Sequence, residues 1–83
     1  MATDNDTYYR ITLKLGRKKS RQTLFEDHDL EFVVRYWRAT VDFHARDREM
    51  LMLGLASGQS FTVTRVSTDG TPNREYVLER VRL

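Results

Sequence analysis

The sequence contains no cysteine, which excludes disulfides, thiolate metal sites and cysteine nucleophiles. It has four glycines, Gly16, Gly54, Gly58 and Gly70, and their spacing matches neither a dinucleotide-binding fingerprint nor a P-loop. It has two histidines, His28 and His44, separated by 16 residues (44 − 28). If both flank one helix they stand roughly 24 Å apart, too far to share a metal ion. No apolar run approaches the roughly 18 residues that a membrane span requires. The N-terminus also lacks a basic-then-apolar targeting pattern, so the expected location is the cytoplasm with no membrane partner. The serines fall in turns without a nearby histidine, and Asp27 with Asp29 reads as a dipole complement rather than a catalytic pair. A non-enzymatic protein without a cofactor is the expectation.

What is present suits one small domain. The chain has 83 residues, 40% of them hydrophobic and 11% aromatic, enough for a compact core but with a thin stability margin. Residues 1–6 are polar and aperiodic and read as a flexible leader, leaving 7–83 as a single compact domain. The formal net charge is only +2, from 14 basic and 12 acidic residues, but the signs are segregated. Six cations and no acid lie between Arg10 and Arg21, whereas Glu26, Asp27, Asp29 and Glu31 form an acidic stretch free of Lys and Arg. Separated poles can steer docking whatever the net charge.

Hydrophobic periodicity predicts the elements. Tyr9, Ile11, Leu13 and Leu15 alternate with Tyr8, Arg10, Thr12 and Lys14, predicting a half-buried strand over 8–15. Gly16 and a charged tip lead into a second strand over 21–25, giving a hairpin with a basic end. Asp27 or Asp29 is placed to cap a helix whose apolar face is Leu30, Val33, Val34, Trp37 and Val41, extended by Ala45. A second line of Phe32, Tyr36, Ala39 and Phe43 widens that face beyond what one sheet can cover. Leu51, Leu53 and Leu55 then alternate with Met50, Met52 and Gly54, predicting a third strand. A turn at 56–59 leads to a fourth with Phe61, Val63 and Val66, and a loop with the only proline leads to a fifth over 75–83. The expected fold is α+β: an antiparallel sheet of about five strands, in the order β-β-α-β-β-β, with one helix on a face.

Two surfaces carry candidate function. Phe32, Tyr36, Arg35, Arg38 and Phe43 on the helix, with Met50 and Met52, combine aromatic, Arg and Met side chains of the kind enriched at protein interfaces. Trp37 reads instead as the core anchor. Arg10, Lys14, Arg17, Lys18, Lys19 and Arg21, with Tyr8 to stack on a base, form a candidate contact for nucleic acid or an acidic partner. The same charges also fit the solvated edge of an ordinary hairpin. His28 between two aspartates can be drawn as a weak metal site, but the expected reading is a capping loop that happens to contain a histidine, and no metal is expected.

The primary expectation is therefore a small protein that docks on a protein or nucleoprotein complex and modulates or inhibits it. By size and type, phage and mobile-element inhibitors are the analogy, and a viral source is one expectation. The alternatives are a nucleic-acid-binding protein or small regulator using the basic hairpin, and a structural subunit of an assembly. A sheet edge that pairs with a second copy would give a homodimer.

Overall fold

A computed structural model of the chain describes residues 7–16, 20–42 and 47–82. Four antiparallel strands form one sheet, β1 (Thr7–Leu15), β2 (Ser20–Asp27), β3 (Phe61–Arg65) and β4 (Arg74–Arg82), in the spatial order β2-β1-β4-β3. Helix α1 (Leu30–Tyr36) runs into a π-helical turn at Trp37–Val41, and α2 (Arg48–Ala56) follows. The class is α+β, as the periodicity predicts, but among the described residues there are four strands and two α-helices rather than five and one. The two central strands pair along their whole length, from Thr7 opposite Arg82 to Leu15 opposite Arg74.

The main correction concerns 50–55, which the alternation of leucines assigns to a strand. It is α2. Leucine, methionine and alanine are strong helix formers, and both ends of the segment are capped. Asp47 accepts a hydrogen bond from the Glu49 N–H at 2.9 Å. At the other end Gly58, at φ +90°, donates to the Leu55 carbonyl at 3.0 Å, and Gln59 donates to the Gly54 carbonyl at 2.8 Å. That pair of bonds is a Schellman cap, so Ser57-Gly58 ends a helix instead of turning a hairpin. Leu51, Gly54 and Leu55 are the buried positions, at three-and-four spacing. Leu53, expected beside the other leucines, points to solvent.

The first helix is also shorter than its stripe suggests. Asp29 is the N-cap, accepting from the Glu31 N–H at 3.0 Å, while Asp27 accepts from the Asp29 N–H at 2.7 Å. The helical run stops at Val41, where Asp42 N–H closes a wide turn on the Trp37 carbonyl at 2.9 Å. Four-residue spacing drifts around a helix of about 3.6 residues per turn, and a π turn cancels that drift by taking in more residues. Val33, Trp37 and Val41 therefore all face the sheet. Residues 43–46, with Phe43 and Ala45, lie outside the described residues, as do the proposed leader 1–6, Leu83, and Arg17, Lys18 and Lys19.

Both helices cover the same face of the sheet. Ile11 and Leu78 from the central strands meet Val33, Val34, Trp37 and Val41 from above, with Leu51 and Leu55 from α2. Two sheet arginines tie down the helix ends: Arg65 donates to the Val41 carbonyl, and Arg80 donates to the Ala56 carbonyl at 2.7 Å. Cations at the negative ends of helix dipoles are stabilising. Val66, expected in a strand, lies just past the end of β3 and is exposed.

Candidate binding surfaces

The outer side of the helix layer exposes three large apolar side chains: Phe32 at 51%, Met50 at 59% and Leu53 at 69% of their full surface. Met50 and Leu53 are three residues apart and share a side of α2. The two helices are joined by Arg48, whose guanidinium lies 2.6 Å from a Glu31 carboxylate oxygen. Arg35 sits 5.9 Å from the centre of the Phe32 ring, within cation–π range, and Arg38 is exposed on the next turn. Tyr36 and Met52 belong elsewhere. The Tyr36 ring stacks on Phe25 of β2 at 4.7 Å with an interplanar angle of 5°, and Met52 is half-buried against the core. Trp37 is 1% exposed and anchors the core. Leu53 was missed from the sequence because period two hid it. The Asp47 cap, the Gly58 stop and the spacing from Leu51 to Leu55 were the signals for a helix.

The opposite face of the sheet has no covering layer among the described residues. Its side chains line up in cross-strand rows. Glu26, Arg10 and Glu79 form one row; Thr23, Thr12, Val77 and Thr62 the next; Arg21, Lys14, Glu75 and Thr64 the third. The arrangement depends on a β-bulge. Between Ile11 and Thr12 the register of β2 slips, so that Ile11 faces Phe25 while Thr12 faces Thr23. The extra residue is Leu24, and both Leu24 and Phe25 pack against the core. Plain alternation would put Arg21, Thr23 and Phe25 on one face. The bulge separates them and sets Arg21 and Thr23 on the open face, beside Lys14 and Thr12.

Electrostatically this face is mixed. Arg10 lies 3.5 Å from Glu79, and Lys14 lies 3.6 Å from Glu75. Arg21 makes no ion pair among the described residues and stands directly across from Lys14. Tyr8 shares the face but opposite Val81, six residues from Lys14 along β1 and so roughly 20 Å away. Arg10, Lys14 and Arg21 thus line one concavity, whereas Tyr8, although next to Arg10 on this face, is remote from Lys14 and Arg21. Tyr8 meets the His28 ring edge-on at 6.0 Å, and His28 Nδ1 is 2.8 Å from the Thr7 carbonyl oxygen. With Asp27 and Asp29 engaged as caps, this corner holds a helix entrance together. Among the described residues no group of three or more His, Asp or Glu is placed to hold a metal ion. No described helix is long and apolar enough to cross a membrane.

No family model matches the chain, and no curated protein or solved structure is significantly similar to it.

Proposed function

We propose that this chain is a small non-enzymatic binding protein that docks through its helix layer on a protein or nucleoprotein partner and modulates or inhibits it. Small inhibitors of the kind carried by phages and mobile elements are the analogy of type. The observation that supports this most is the solvent exposure of Phe32, Met50 and Leu53 on helices whose inner sides already fill the core. Aromatic and methionine side chains beside Arg35 and Arg38 suit the anchor points of an interface. The nucleic-acid reading is supported less well. Arg10 and Lys14 each have a carboxylate beside them, and among the described residues three carboxylates balance three cations on the open face.

The test is capture of partners from the native host by the intact chain, at low and high salt, against a Met50→Gln/Leu53→Gln variant. Binding through the helix layer should survive high salt and disappear in the variant, whose circular dichroism and melting temperature stay unchanged. Capture that is indifferent to those substitutions, vanishes in salt and is lost with Arg21→Gln would instead establish nucleic-acid binding through the hairpin. Light scattering on the pure chain separates a partner-seeking monomer or dimer from a structural subunit, which would form larger obligate assemblies.

A further inference from the structure

Thr12 and Val77 are buried, at 7% and 9% exposure, although they lie on the face that no helix covers. The stems of the long side chains around them provide the cover. Those side chains wall a concavity of about 340 Å³, with Thr12, Thr23 and Val77 as its floor, Arg10 and Glu79 at one end, and Lys14 and Arg21 at the other. A larger hollow of about 1110 Å³ opens beyond, between Gly16 and Ser20 on one side and the β3–β4 loop on the other, and Lys14 and Arg21 line it as well. Gly16 is held to that loop by its N–H bond to the Asn73 carbonyl at 3.1 Å.

The charges at this junction do not balance locally. Lys14 and Arg21 face each other across the strands, and like charges directly opposite are destabilising. One carboxylate, Glu75, serves the pair, and it sits on the far side of Lys14. Arg10 adds a buried Nε with no acceptor. The hydroxyls of Thr12 and Thr23 make no hydrogen bond among the described residues. Unspent donors and a pair of cations sharing one carboxylate around a concavity are complementary to a compact oxyanion.

We propose that this junction binds the phosphoryl group of a small phosphorylated molecule, gripped between Lys14 and Arg21 over the Thr12–Thr23 floor, with the rest of the ligand in the larger hollow. Several features favour a small ligand over a polynucleotide. Glu75 and Glu79 stand along β4 and repel a polyanion laid across the sheet. Among the described residues no aromatic side chain lines either concavity, so bases find nothing there to stack on. The hollow is of the size that holds a metabolite. This inference is independent of the helix-layer interface, which lies on the other side of the sheet.

Titration of the ¹⁵N-labelled full chain with inorganic phosphate and with pyrophosphate, at constant ionic strength against chloride, is the test. Saturable amide shifts confined to Thr12, Lys14, Arg21, Thr23 and their neighbours are expected. Arg21→Gln should weaken binding about tenfold, since it removes a charge-assisted bond. Glu75→Gln should tighten binding about threefold by freeing Lys14 from its competitor. A role for Glu75 in strand pairing alone would leave affinity unmoved. Shifts that chloride reproduces, or affinity unchanged in both variants, would overturn the proposal. So would saturable binding of a single-stranded oligonucleotide with a steep salt slope and no response to either phosphate, which would assign the face to polynucleotides. Met50→Gln/Leu53→Gln should bind phosphate as the parent does.

Discussion

The two faces of the sheet are built from neighbouring residues of the same strands, yet they solve burial in opposite ways. On the covered face Ile11 and Leu78 are closed off by the buried side chains of both helices. On the open face Thr12 and Val77 reach nearly the same burial under flexible Arg, Lys and Glu stems. Equal burial therefore does not mean equal stability. A helix layer cannot move aside without unfolding the domain, whereas a side-chain stem exchanges rotamers on a picosecond-to-nanosecond timescale. The first kind of cover supplies the fold. The second can be displaced by a ligand.

The sharpest way to break this comparison is to truncate one residue under each cover. Trp37→Ala should cost about 3–5 kcal/mol, as large-to-small changes at buried aromatics do. For a domain of this size that is a large share of total stability, and the variant should be substantially unfolded at room temperature. Val77→Ala should cost about 1 kcal/mol, because neighbouring stems settle into the space. Urea midpoints followed by circular dichroism give both values. Equal losses would show that the open face is packed as firmly as the covered one.

Gly54→Ala probes how tightly the covered face closes. A methyl group there gains up to about 1 kcal/mol in helix propensity. It would also sit 2.6 Å from the Phe61 ring carbon Cζ, closer than atoms approach without displacement. Overpacking of this kind costs about 1–3 kcal/mol, so the net change should be a loss of about 1 kcal/mol. Adding Phe61→Leu should recover part of it. A stabilised Gly54→Ala variant would mean that Phe61 swings away freely and that α2 rests on β3 more loosely than the distances imply.

The comparison also separates what the sequence made legible from what it concealed. The long central strands were plain, because Tyr9 to Leu15 alternates over a full strand length and β4 mirrors it. So was the buried stripe of α1. The helix α2 was hidden because Met50-Leu51-Met52-Leu53 satisfies two periods at once, and only the capping residues Asp47 and Gly58 decide between them. The bulge at Leu24 leaves no mark in the pattern, yet it determines which face Arg21 occupies. Arg10 and Lys14 of the open face could be read from alternation along β1. Their neutralisation could not, because Glu75 and Glu79 lie more than sixty positions along the chain and reach Lys14 and Arg10 only through strand pairing. Arg65 and Arg80 raise the pI of 9.2 while serving helix ends, so part of the apparent basic character is structural.

The smallest expected effect concerns the loop that borders the open-face hollow. Asp69 accepts from the Ser67 hydroxyl, from the Thr71 hydroxyl at 2.7 Å and from the Thr71 N–H at 3.1 Å. These bonds, the Ser67 hydroxyl first, hold its carboxyl well below the usual aspartate range. A carboxylate whose pKa is depressed in the folded state stabilises at every pH above its unfolded value, about 3.9, and loses that contribution as pH falls through the folded value. Asp69→Asn should thus melt slightly earlier than the parent at neutral pH, by a constant margin down to about pH 5. Below about pH 4 the margin should shrink, because the unfolded parent then takes up a proton that the folded parent, with Asp69 still ionised, does not. At neutral pH the phosphate affinity of Asp69→Asn should also be slightly weaker, since Gly70, Pro72 and Asn73 of this loop line the hollow. A melting difference that stays constant through the acid range would show that these bonds order the loop equally well around a neutral side chain. The loop would then owe its order to Asn73, which accepts from the Gly16 N–H at 3.1 Å through its carbonyl and from the Ser67 N–H at 3.0 Å through its side chain.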